Sequence, residues 1–89
     1  MNGNKKNRAI KRLKIIAGQV SGLGRMIEKD AYCINVINQS LAIKNALSSL
    51  EDFILENHLA THAVRQIKSG EKTKAIKEIL SIYKLSKQK

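Results

Sequence analysis

The feature that most constrains this chain is a stretch, residues 31–69, that contains neither glycine nor proline. Apolar side chains recur along it at intervals of three and four residues, and no useful length of the chain alternates with the period of two that a strand needs. Because glycine and proline are the residues that most often end helices, the stretch predicts one long helix over about residues 31–68. At about 1.5 Å per residue, that helix is on the order of 50–60 Å long.

A shorter helix is predicted on each side of the long one. Before it, apolar residues at helical spacing predict a helix over about residues 4–28. Asp30 is a favourable N-cap for the long helix, and Gly70 can end it in the left-handed conformation. A third helix is expected over residues 71–85. The predicted fold is all-α, a three-helix subunit with a long central helix in a single domain over residues 1–89. The neighbouring helices cannot cover the whole central helix, so we expect an obligate oligomer.

Charge is distributed unevenly along the chain, whose formal net charge is +10. Residues 1–30 carry eight Lys and Arg against two acids, residues 31–69 three against three, and residues 70–89 six against two. A neutral middle with basic ends favours a polyanionic partner, and nucleic acid is preferred to a membrane because the basic segments lack interfacial Trp and Phe. The candidate DNA-binding residues in the first helix are Lys5, Lys6, Arg8, Lys11, Arg12 and Lys14. Simple solvation of that helix is the alternative.

The single cysteine, Cys33, excludes a disulfide within the chain. No segment approaches the roughly 20 apolar residues that span a bilayer. The first residues also lack the apolar core of a signal peptide. We therefore expect a cytoplasmic protein with a reduced thiol, no membrane partner and no small organic substrate.

Cys33 and the only two histidines, His58 and His62, form a candidate metal site. On a straight helix His58 lies about 37 Å along the axis from Cys33, so one chain cannot bring the two to one metal ion. At about 100° per residue, however, the two histidines lie only about 20° to either side of Cys33. An antiparallel dimer with its two-fold axis near Leu47 would place each thiol beside the partner's histidines and form two sites.

A thiolate and two imidazoles are suitable ligands for a late transition metal. Simpler interpretations remain open, because a lone cysteine on an apolar helix face is often a small buried hydrophobe. A histidine pair one turn apart is also often solvated surface.

Two stretches, "RLKIIAGQVSGLGRMIEKDAYCINVINQ" and "ENHLATHAV", resemble the small all-helical metal-sensing repressors of the CsoR/RcnR type. The resemblance covers most of the chain. It implies an antiparallel dimer that assembles into a tetramer, a dimer of dimers. It further implies a repressor that binds double-stranded operator DNA in its metal-free form and is released when an inducer binds.

The resemblance also assigns residues. Cys33, His58 and His62 match metal-ligand positions, and His62 stands where many copper sensors have a second cysteine. Tyr32 and Glu78 match a pair that links the metal-bound histidine to the rest of the fold. Nickel and cobalt sensors use a histidine near the N-terminus, which this chain lacks, so Cu(I) is favoured. Ni(II), Co(II) or Zn(II) remain possible because the same ligands suit them.

The resemblance also identifies candidate DNA-binding residues, which are Arg12, Lys14 and, in addition, Gln19. Copper sensors often carry arginines on the second helix where this chain has Ser49 and Asp52, so the first helix must supply more of the phosphate contact.

Three other functions are considered. Cys33 could be activated by His58 in a cysteine enzyme, but no oxyanion-hole loop or orienting third group is apparent, so we expect no enzyme. A formaldehyde-responsive repressor could use Cys33 as its reactive group. An architectural DNA-binding protein would use neither the thiol nor the histidines.

Overall fold

Three helical segments make up the chain in a computed structural model that describes residues 1–87. The elements are α1 (Gly3–Glu28), α2 (Cys33–His58), a π-helical turn (Leu59–Ala63), α3 (Val64–Lys68) and α4 (Lys72–Ser86). The middle three follow one another directly and form the long central segment. No strand occurs among the described residues, and the all-α fold with three helical segments is confirmed. The last two residues of the predicted single domain, 88 and 89, lie outside the described part.

The connection between α1 and α2 differs from the prediction. Asp30 does not cap α2 but has a φ of 55° and lies just beyond the end of α1. Its N–H donates to the carbonyl of Ile27 at 3.1 Å, and the N–H of Ala31 donates to that of Met26 at 2.9 Å. This is the Schellman ending of a helix, and aspartate is among the few residues besides glycine that tolerate its left-handed position. Consequently α2 begins at Cys33 and not at Ala31.

Gly70 ends the central segment in the same way. Its φ of 88° lies in the left-handed region, as the sequence predicted. The N–H of Gly70 donates to the carbonyl of Ile67 at 3.3 Å, and that of Glu71 donates to Gln66 at 2.7 Å. At this position a side chain would add strain, which glycine avoids.

Two units can be distinguished, Met1–Leu55 and Glu56–Lys89. In the first unit, α1 packs against α2 along positions that recur every seven residues, the spacing of a coiled-coil seam. The buried residues are Ala9 and Ile16 of α1 with Ile43 and Leu50 of α2, and Leu23, Ala46 and Phe53 pack against them. Burying one large aliphatic side chain contributes about 1.5–3 kcal/mol. This seam therefore aligns the two helices.

A second set of apolar residues on α2 stays exposed in the single chain. It consists of Ile34, Ile37, Leu41, Leu47 and Ile54. Grouped apolar side chains at a surface commonly mark an interaction site. Among the described residues, no helix combines the length and the apolar character needed to cross a membrane.

Small side chains dominate the interior of the second unit. Ala63 of the π-helical turn and Ala75 of α4 are almost fully buried, and Asn57 is the buried polar residue. Because alanine projects little beyond the backbone, helices can approach closely at such positions. The histidine-bearing turn thus belongs to a packed part of the unit.

Candidate metal centre and nucleic-acid interface

Cys33 is the first residue of α2 and carries an exposed, free thiol. Tyr32 precedes it, and the carbonyl of Tyr32 accepts the N–H groups of Asn35 at 2.9 Å and Val36 at 3.2 Å. The Tyr32 side chain is 70% exposed. The start of α2 therefore presents a soft ligand and an aromatic hydroxyl side by side to solvent.

The two histidines lie together at the other end of α2. His58 is its last residue, and His62 lies in the π-helical turn that follows. Their rings are nearly parallel, with centroids 5.4 Å apart and an interplanar angle of 16°. His58 is half-buried and His62 is exposed. The turn thus presents two imidazoles in a stacked arrangement.

Glu78 reaches His58 from α4. Its Oε2 lies 3.5 Å from Nε2 of His58, and the two side chains are 41% and 32% exposed. The contact is an ion pair only when the imidazole is protonated, and with a neutral ring the N–H faces the carboxylate. The structure therefore brings together two of the predicted residues, the histidine and its carboxylate partner.

The described part of one chain does not bring together three His, Cys, Asp or Glu side chains in a metal-binding group. The histidine pair by itself offers ring nitrogens of two residues. The predicted set with Cys33 stays a prediction.

Sequence reasoning missed the π-helical turn, because the apolar pattern predicts an unbroken α-helix to residue 68. Within the turn, Oγ1 of Thr61 donates to the backbone carbonyl of Asn57 at 2.7 Å. Threonine bonds of this kind to the preceding turn often bend helices, which was the one available signal in the sequence.

The basic residues predicted to bind DNA lie along α1 (Lys5, Lys6, Arg8, Lys11, Arg12 and Lys14), and all are exposed except the half-buried Lys5. Arg8 and Arg12 both lie over the ring of Phe53, with their guanidinium carbons 5.2 Å and 4.8 Å from its centroid. Phe53 was not singled out from the sequence. The aromatic ring on α2 thus orders two cations of α1.

Gln19 lies at the contact between α1 and α2. Its backbone carbonyl accepts a hydrogen bond of 3.2 Å from Nε2 of Gln39. Its own Oε1 is buried and has no hydrogen-bond partner among the described residues. Ser49 and Asp52 are exposed on α2, so this helix lacks cations there.

These features agree with a known family. The family model described as metal-sensitive transcriptional repressor matches residues 5–84. The chain belongs to this family. The copper-sensing transcriptional repressor CsoR of Bacillus subtilis is 40% identical over 80 residues, which are 89% of this chain and 78% of the relative. That of Mycobacterium tuberculosis is 35% identical over 82 residues, 92% of this chain and 69% of the relative.

A solved structure agrees with the same assignment. The crystal structure of the copper-sensing repressor CsoR with Cu(I) from Geobacillus thermodenitrificans has a TM-score of 0.93 and 30% identity to this chain. The match covers 99% of this chain and 92% of that one.

Membership of the metal-sensitive repressor family confirms the resemblance to CsoR/RcnR-type proteins that the sequence indicated. The family consists of transcriptional repressors and not of enzymes. The chain is therefore a metal-responsive repressor, and the cysteine-enzyme alternative is excluded. A repressor of this family binds DNA and self-associates.

Proposed function

We propose that this repressor responds to Cu(I). The metal-free protein binds operator DNA, and it releases the DNA when Cys33, His58 and His62 hold the metal ion between two chains. The observation that carries the proposal is the proximity of two imidazoles, with ring centroids 5.4 Å apart, of which that of His58 faces the carboxylate of Glu78. The names of the relatives, which are copper-sensing repressors, support the choice of metal.

The residues present fit such an ion. A cysteine thiolate is a soft ligand that favours Cu(I), and imidazole nitrogen suits copper as well. The thiol of Cys33 is exposed, and so is the ring of His62. The same ligands also suit Zn(II), Co(II) and Ni(II), which makes these ions the competitors in any test.

His58 connects the metal site to α4. Because Nε2 of His58 faces Glu78, its Nδ1 is the nitrogen left for a metal. His58 would hold a metal ion through Nδ1, which would leave the ring proton on Nε2 and so fix the tautomer and orientation of the ring. Glu78 would then accept a hydrogen bond from a ring held in one orientation. Because Glu78 belongs to α4, this bond is proposed to shift α4 together with the ring. Tyr32 is proposed to approach the same histidine from the second chain.

Assembly is proposed to follow from the ends of α2. Cys33 begins this helix and His58 ends it, so antiparallel pairing of two copies brings each thiol beside the other chain's histidines. An isologous interface forms two identical sites. The exposed apolar residues of α2 supply the surface that the pairing buries. Two such dimers are proposed to associate into a tetramer.

The DNA interface is proposed to lie on α1. Its exposed lysines and arginines contact phosphates and release counterions, which makes binding depend steeply on salt. Arg8 and Arg12 are ordered by Phe53, and guanidinium groups bind phosphate with two parallel hydrogen bonds. Gln19 is proposed to contact DNA from the side of α1 that borders α2.

The decisive experiment measures DNA affinity at fixed salt with and without Cu(I), Ni(II), Co(II), Zn(II) or formaldehyde. One equivalent of Cu(I) per chain is expected to lower the affinity by roughly 5- to 150-fold, the usual range of allosteric coupling. Cys33→Ala is the control and should not respond to Cu(I).

Other outcomes would identify the alternatives. A larger effect of Ni(II) or Co(II) would assign the protein to another metal, and an effect of formaldehyde would assign it to modification of Cys33. No response to any of them would indicate an architectural DNA-binding protein. Sedimentation that shows a folded monomer at micromolar concentration would contradict the proposed assembly.

A further inference from the structure

One hydrogen bond spans the backbone between the two histidines, from the end of α2 into the π-helical turn. Oγ1 of Thr61 donates to the backbone carbonyl of Asn57 at 2.7 Å. Asn57 immediately precedes His58, and Thr61 immediately precedes His62. The bond therefore ties together the two backbone positions next to the two proposed nitrogen ligands. Asn57 is only 5% exposed and Thr61 is half-buried, so the bond is partly shielded from water.

The same turn has an unusual backbone. Leu59–Ala63 forms a π-helical turn inside an otherwise α-helical segment. Such turns are rare, occur mostly as single insertions in α-helices and are frequent at functional sites. A π-helical turn changes the direction in which the following side chains leave the helix. His62 lies within it, so its ring is set relative to His58 by this local conformation.

We infer that Thr61 is a positioning residue for the metal site. Its hydroxyl stabilises the π-helical turn and so keeps the rings of His58 and His62 close together, with centroids 5.4 Å apart. The hydroxyl does not bind the metal itself. This inference deepens the proposed function and rests on it. This role of Thr61 follows from its hydrogen bond and its place in the turn.

The test uses nearly isosteric substitutions in the full chain. Thr61→Val keeps the size and β-branching but removes the donor, whereas Thr61→Ser keeps the hydroxyl. Thr73→Val makes the same change at the only other threonine, which is exposed on α4. Cu(I) affinity is measured by competition with a chromophoric chelator.

Thr61→Val is expected to bind Cu(I) about 10-fold more weakly, the lower end of the usual effect of residues that orient metal ligands. Thr61→Ser and Thr73→Val are expected to remain close to wild type. In the metal-free protein, amide hydrogen exchange over residues 59–63 should accelerate in Thr61→Val alone.

Two results would overturn the inference. One is wild-type Cu(I) affinity in Thr61→Val, and the other is unchanged hydrogen exchange in its turn. Should Thr61→Val fail to fold, Thr61→Ser decides, because a loss of affinity without loss of the hydroxyl would contradict the proposed role. Absence of tight Cu(I) binding in the wild type would instead refute the proposed function.

Discussion

At His58, the two ring nitrogens have different surroundings. Nε2 faces the carboxylate of Glu78, while the ring plane stacks on His62. A neutral histidine carries one donor and one acceptor, and the partner of one nitrogen determines which tautomer the other presents. A carboxylate on Nε2 favours the proton there and leaves Nδ1 as an acceptor. His58 is therefore the proposed link between the metal ion and α4.

Replacing Glu78 tests this proposed link between His58 and α4. Glu78→Gln should keep Cu(I) binding near normal but lose much of the metal-dependent fall in DNA affinity, because a neutral amide oxygen accepts the N–H of His58 more weakly than a carboxylate does. Tyr32→Phe should act in the same direction. DNA-binding isotherms are measured with and without saturating Cu(I), so that small changes in metal affinity do not enter.

Glu71→Gln is the matched control, since Glu71 is exposed at the start of α4. It should release DNA like the wild type. Full release by both Glu78→Gln and Tyr32→Phe would show that the signal takes another route.

Single residues also show which structural features cannot be predicted from the sequence. Asp30 is a good N-cap by type, yet aspartate also tolerates the left-handed position that ends a helix, and only the backbone path decides between the two. The candidate ligand set could be proposed from the sequence, because Cys33, His58 and His62 are rare residue types with matching angular positions on a straight helix, and it stays a prediction. Thr61 could not, because its hydroxyl acts through a conformation that the apolar pattern does not reveal.

Where the helices α1 and α2 pack together, their buried contact borders a charged surface. Phe53 packs against the buried residues on one side and contacts the guanidinium groups of Arg8 and Arg12 on the other. The helices themselves could be predicted from spacing. This contact could not, because no sequence pattern relates the only phenylalanine to two arginines on another helix.

Phe53→Leu should weaken DNA binding by about fivefold, since an exposed cation–π contact contributes about 0.5–1 kcal/mol and two arginines lose their ordering. Phe53→Tyr retains an aromatic face and should bind DNA nearly as well as the wild type. Both affinities are measured by fluorescence anisotropy at one salt concentration, and both variants by thermal unfolding. Equal DNA affinity for leucine and tyrosine would show that the ring plays no part in DNA binding.

Removing single cations from α1 should change the salt dependence as well as the affinity. Arg12→Ala and Lys14→Ala are each expected to weaken DNA binding and to reduce the slope of log affinity against log salt by about 0.9 per lost phosphate contact. Metal affinity should stay near normal, because none of the proposed metal ligands lies on α1. Unchanged slopes in both variants would move the DNA contact away from α1.

For the whole molecule, the proposed metal site is a property of two chains. Cys33→Ala should lose tight Cu(I) binding, and so should the double variant His58→Ala/His62→Ala, because each removes ligands from both sites. A mixed dimer of the two variants should regain one intact site of two, since one chain still supplies a thiol and the other still supplies the histidines. The measurement is the Cu(I) stoichiometry of the unmixed and the remixed proteins.

The control is each variant unfolded and refolded alone, which should regain no site. Refolded mixtures without recovered binding would contradict ligand sharing between chains. Ligand sharing stays a prediction from the sequence, which rests on the distance of about 37 Å between residues 25 positions apart on a helix.

The short connections between helices determine where a protease can first cleave the chain. Between residues 3 and 86, only residues 29–32 and 69–71 are non-helical, although the chain has 17 Lys and Arg. A hydrogen-bonded helix must open locally before it can enter a protease active site. Limited trypsin digestion followed by mass spectrometry should therefore show the earliest internal cuts after Lys29 and at Lys68 or Lys72. Most of the other bonds that follow a lysine or arginine should survive that digestion, despite their exposed side chains.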